Sequence, residues 1–194
     1  MTTTHMLYLH GFRSSPQSAK AQRMARYVEQ NHPRVQLWCP QLPPSPREAM
    51  ALIEDGIAGW PSARMAVVGS SLGGYYASAV AQRMHCKSVM LNPAVDPARD
   101  LAHYIGEQSS WHTPEERFFF RAEYIDELRA LDVRGQPQAA PELLVAARGD
   151  ELLDWREMVA RYPQAQHIVL PGGDHALSDF EQVLAPVFAF LDLA

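Results

Sequence analysis

Only two cysteines, Cys39 and Cys86, occur in the 194 residues, too far apart for the paired short spacings of a disulfide scaffold or a thiolate zinc site. Two buried free thiols are expected. Positive charge is also scarce: 17 Lys and Arg stand against 22 Asp and Glu, and the formal charge of -5 offers no broad footprint for nucleic acid. Long apolar runs are missing, and Met1-Thr2-Thr3-Thr4-His5 is no basic leader, so neither a membrane span nor a secretory signal is expected. The cytoplasm follows as the default location. No Gly-Lys precedes Ser or Thr and no Gly-x-Gly-x-x-Gly occurs, which argues against P-loop phosphate cradling and dinucleotide redox chemistry. What is present can form a core. Apolar types make up 47% and charged types 20%, which excludes a disordered chain, and the length predicts one domain over 1–194.

Short apolar segments alternate with amphipathic ones. Met6 to Leu9, Val35 to Cys39, Met65 to Val68, Ser88 to Leu91, Glu142 to Ala147 and Gln166 to Leu170 read as strands. Between and after them, 17–30, 47–60, 72–84, 152–162 and 177–191 read as helices. The prolines of the run Pro40 to Pro46 lack amide donors and mark a stiff connection away from a central sheet position. This order predicts a compact three-layer α/β fold with a mostly parallel sheet of about six strands. Residues 96–138 break the alternation. They hold Trp111, Phe118-Phe119-Phe120 and a helix candidate over 123–131; packing accounts for their aromatics, with a small lid or pocket wall as the functional alternative.

Gly69-Ser70-Ser71-Leu72-Gly73-Gly74 stands between the most apolar strand and a helix. Its Gly-x-Ser-x-Gly register selects Ser71, rather than Ser70, as a nucleophile on a sharp turn, with the Leu72 amide aimed at a developing oxyanion. An ordinary Gly-rich turn is the bland alternative. A serine nucleophile needs a base, and His175 in Pro171-Gly172-Gly173-Asp174-His175 follows the last strand, although a loop histidine without such a role stays open. Asp150, directly after the 142–147 strand, is the preferred acid to orient it; Asp154 and Asp174 are alternatives, as is a capping role. In His10-Gly11-Phe12 the Phe12 amide is a second oxyanion donor and its ring a pocket wall, while His10 reads as a loop-bonding residue. No metal or organic cofactor has a task here, since Asp174-His175 is an isolated pair of ligand types.

These blocks, with Pro40-Gln41-Leu42-Pro43-Pro44, Asn92-Pro93-Ala94-Val95 and Gly149-Asp150-Glu151, resemble the α/β-hydrolase superfamily and, more closely, the YqiA-like small bacterial esterases. The resemblance spans nearly the whole chain. It implies an esterase acting on short- to medium-chain esters, with Ser71, Asp150 and His175 at the matching catalytic positions. An acyl-CoA thioesterase is one alternative, and a nonenzymatic binding protein presenting the Trp111 to Phe120 region is another. The expected partner is a small-molecule ester or thioester, and either a monomer or a homodimer is compatible with the composition.

Overall fold

Apolar strands too short to be helices and too apolar to face water must be covered on both sides, and the chain does this by winding helices over a central sheet. The structure, a computed structural model, describes residues 2–111 and 113–194. In chain order, β1 (His5–Leu9), α1 (Ala19–Asn31), β2 (Gln36–Trp38), α2 (Pro46–Ile57), β3 (Met65–Ser70), α3 (Leu72–Met84) and β4 (Lys87–Leu91) alternate. The excursion then supplies α4 (Pro97–Asp100), β5 (Gly106–Ser109), β6 (Arg117–Phe120) and α5 (Glu123–Ala130). The alternation resumes with β7 (Glu142–Ala147), α6 (Trp155–Arg161), β8 (Gln166–Leu170) and α7 (Glu181–Leu191).

Six strands pair in the order β2-β1-β3-β4-β7-β8, every pairing parallel. Side-chain alternation sends Met6, Tyr8, Val68, Val89 and Val145 toward α1 and α7, where they bury Met24, Val28, Phe180 and Val187. The neighbouring positions Leu7, Leu9 and Val67 face the other way, onto Ile53 of α2 and Tyr76 and Val80 of α3. Met90, Leu144 and Ala146 extend that second face under Met158 of α6. The result is the expected three-layer architecture. At the β2 edge, the proline run leaves the sheet, Pro46 takes the first helical position, and Ser45 caps α2 by accepting from the Glu48 amide.

Three details differ from the sequence pattern, each for a local reason. Helix α6 starts at Trp155 rather than at residue 152, because the Asp150 carboxylate captures the Leu152 and Leu153 amides and Asp154 caps the turn after them. Helix α7 starts at Glu181 rather than at 177, because Leu177 takes a left-handed φ of 50° and Asp174 holds the Ser178 amide in a separate turn. Within 96–138, of which residue 112 lies outside the described residues, β5 and β6 form an antiparallel hairpin apart from the main sheet. Both cysteines are free; Cys86 is buried and Cys39, expected to be buried, is half-buried. Burial pushes both thiols up to about 12.

Candidate active site

The turn between β3 and α3 is built by close backbone crossings. A side chain on Gly69 would come within 2.0 Å of the Gly73 carbonyl oxygen, and one on Gly73 within 2.0 Å of the Leu9 carbonyl oxygen. Glycine is therefore a steric requirement at both ends of the motif. Between them Ser71 sits at φ 58°, ψ -121°, a conformation costing about 1–3 kcal/mol for a residue with a Cβ. Backbone bonds hold it there: the Ser71 amide donates to Leu91 O at 3.0 Å, and the Ala94 amide donates to Ser71 O at 3.0 Å. Ser70, by contrast, is buried in the strand.

His175 and Asp150 come to this serine from the loops after β8 and β7. The Ser71 Oγ lies 3.0 Å from His175 Nε2, and His175 Nδ1 lies 2.8 Å from Asp150 Oδ2. The Asp150 side chain is 0% exposed, and its other oxygen accepts the Leu152 and Leu153 amides at 2.9 Å each. A buried carboxylate with both oxygens occupied stays an acceptor, so Nδ1 must donate and the neutral ring leaves its Nε2 lone pair toward the serine hydroxyl. The His175 amide is itself fixed by Glu151 Oε2 at 2.9 Å.

The alternative acids have other partners. Asp154 accepts from the Arg156 amide as the cap of α6, and Asp174 accepts from the Ser178 amide and hydroxyl, bonds that hold its carboxyl below the usual range. His10 ties loops together. Its Nε2 accepts from the Leu42 amide at 3.1 Å, so the ring proton sits on Nδ1, which donates to Gly11 O at 3.0 Å.

The two amides proposed from sequence as oxyanion donors, those of Phe12 and Leu72, donate to no protein acceptor among the described residues. Gly11 brings its loop against the serine: a side chain there would meet Ser71 Cβ at 3.1 Å. The Phe12 ring packs edge-on against Tyr104, Phe118 and Phe120, with centroids 5.1 to 6.0 Å away. Two cavities reach Ser71. One of about 270 Å3 runs along Ala94, Leu101, Tyr104 and Leu153, and one of about 340 Å3 along Phe12, Ser70 and Trp111. Leu101, Tyr104 and Trp111 of the excursion line these cavities, while Trp111 and Phe119 remain mostly exposed rather than packed.

Sequence reading missed two residues. Asn92, fully buried at φ 41°, donates through Nδ2 to the carbonyls of Asp174 and His175 and accepts the Ala147 amide at Oδ1, joining the ends of β4 and β7 to the histidine loop. An Asn-Pro pair directly after a strand is its signal, since Asn tolerates left-handed backbone. Arg13 donates to the Ser109 carbonyl and hydroxyl and lies 4.1 Å over the Trp111 ring, binding the Phe12 loop to the hairpin.

Comparison with solved structures places this architecture among α/β-hydrolase folds. Est1E from Butyrivibrio proteoclasticus is 18% identical with a TM-score of 0.76, over 98% of this chain and 87% of that one. The alpha/beta hydrolase domain-containing protein 10 from mouse is 16% identical with a TM-score of 0.72, over 98% and 90%. A Pyrococcus furiosus esterase is 15% identical with a TM-score of 0.63, over 98% and 82%. At these identities the likeness is one of fold. Residues 5–192 match the family described as Uncharacterised protein family (UPF0227), and the chain, with its α/β-hydrolase fold, belongs to that family.

Proposed function

We propose that this protein is a serine-dependent carboxylic-ester hydrolase that turns over short- to medium-chain esters through an acyl-enzyme. The observation that carries the reading is the unbroken path from buried Asp150 through His175 to the Ser71 hydroxyl, at 2.8 and 3.0 Å. The resemblance of the surrounding motifs to YqiA-like small esterases supports it, as does the fold shared with known esterases. Cavities of about 270 and 340 Å3 reach Ser71, and one of about 530 Å3 adjoins them along Gly11, Phe12 and Leu72, so the site has room for a small-molecule ester.

Chemically, Ser71 Oγ attacks the ester carbonyl carbon while its proton passes to His175 Nε2, and the Phe12 and Leu72 amides take the oxyanion. Asp150 stabilises the imidazolium. The tetrahedral intermediate collapses, the C–O bond to the alcohol breaks, and Nε2 returns the proton to the departing alkoxide. Water then repeats the sequence on the acyl-enzyme, with His175 as base, and releases the acid. A thiolate leaving group needs less protonation, so thioesters fit the same residues.

The test pairs a fluorophosphonate label with turnover of matched aryl esters and thioesters. Peptide mapping is expected to find the adduct on Ser71, and Ser71→Ala to remove labelling and most turnover, while folded Ser70→Ala keeps both. An adduct on Ser70 would overturn the register. Faster turnover of the thioester than of its matched ester would move the substrate class, and neither labelling nor turnover would favour a binding protein.

A further inference from the structure

The 340 Å3 cavity that holds Ser71 and His175 is also lined by a basic residue that the proposed chemistry leaves unused. Lys20, the second residue of α1, lines this cavity with Phe12, Ser70 and Trp111. Its Nζ donates to the carbonyl of Ala176, the residue after His175, at 2.6 Å. An ammonium has three N–H donors. Among the described residues the other two meet no protein acceptor, and no carboxylate lies within the 4.0 Å of an ion pair. Burial pulls the amine down to about 8, with the charges of Asp174 and Asp150 acting in the opposite sense.

Holding one carbonyl does not require a charge, since a neutral amide donates as well, and Lys20, half-buried on the cavity lining with its bond to Ala176 O exposed, is open to a second partner. The charge makes sense if the cavity receives an anion. A phosphate brings about 1.5 to 2 negative charges at neutral pH against the single charge of one ammonium, whereas a carboxylate brings one and matches it. Ser14 and Ser18 also line the cavity.

We propose that Lys20 is a specificity-determining residue that binds a substrate carboxylate, so that the preferred ester carries a free carboxylate on its acyl or its alcohol half. This rests on the ester-hydrolase reading above. The carboxylate meets Nζ while the ester carbonyl sits at Ser71, both within the one cavity of about 340 Å3.

The experiment compares kcat/KM for matched pairs: a monoaryl glutarate against its methyl-capped diester, and an acetylated hydroxybenzoate against its methyl ester. A phosphate-bearing aryl acetate is the third arm. The unmodified protein is expected to prefer the carboxylate over its neutral partner by about tenfold or more in one orientation, the scale of a charge-assisted hydrogen bond. Lys20→Gln and Lys20→Met, two uncharged variants, should bring that ratio close to one, and Lys20→Arg should keep part of it. The proposal is overturned if the unmodified protein shows no preference in either orientation, if the ratio survives in both uncharged variants, or if the phosphate ester is the best substrate. Its failure is separable from that of the ester-hydrolase reading. Neutral esters turned over through Ser71 without carboxylate preference sink this inference alone, whereas no turnover and no Ser71 label sink both.

Discussion

Asp150 uses each carboxylate oxygen for a different purpose. Oδ1 gathers the Leu152 and Leu153 amides and Oδ2 meets the imidazole, so one side chain shapes its loop and orients His175. Asp150→Asn can keep its oxygen on the two amides, which presents an NH2 to Nδ1. The ring then carries its proton on Nε2 and opposes the Ser71 hydroxyl. Turnover of a short-chain ester is expected to fall by on the order of a thousandfold or more. Asp154→Asn and Asp174→Asn, which alter only caps and turns, should retain most activity. Initial rates, with circular dichroism to verify folding, check this; near-native rates in Asp150→Asn beside collapse in either of the others would move the orienting role. Ser71, Asp150 and His175 were legible because each follows a strand at a position where side-chain type and local spacing speak together. Asn92 carried only half a signal, since its partners lie 55, 82 and 83 positions away.

Among the elements, the six sheet strands were readable because burial on both faces demands uninterrupted apolar runs. Strand β5, Gly106-Glu107-Gln108-Ser109, has no such run and, among the described residues, pairs with β6 alone. The start of α7 was hidden for another reason: apolar Leu177 and Phe180 bury like helix residues while the Leu177 backbone is left-handed. The hairpin touches the proposed chemistry through Arg13, which binds Ser109 while the Trp111 amide donates back to Arg13 O at 2.8 Å. Truncating Arg13 removes the side-chain half of this clamp and leaves the Phe12 loop held by the Trp111 amide bond and by ring packing. Arg13→Ala is expected to lower kcat on a small ester by about tenfold, part of the on-the-order-of-hundredfold value of one oxyanion donor. Steady-state kinetics with a far-UV spectrum for folding make the measurement, and an unchanged kcat would uncouple the hairpin from the oxyanion loop.

At the scale of the molecule, an all-parallel sheet aligns the carboxyl ends of its strands, and the loops after β1, β3, β7 and β8 converge there. The alternation in the sequence sufficed to expect this edge, whereas the cavity shapes depend on how the 96–138 excursion folds back. The same topology has a kinetic consequence. Parallel strands cannot pair through short hairpins, and Ser71 meets a histidine 104 positions later, so the relay is absent until the edge strand β8 has docked on β7. In refolding from denaturant, helical signal should therefore recover ahead of the capacity to take a fluorophosphonate, read by pulse labelling at successive delays. Labelling in the earliest pulse would contradict it. A small covalent probe thereby becomes a clock for the arrival of the last strand.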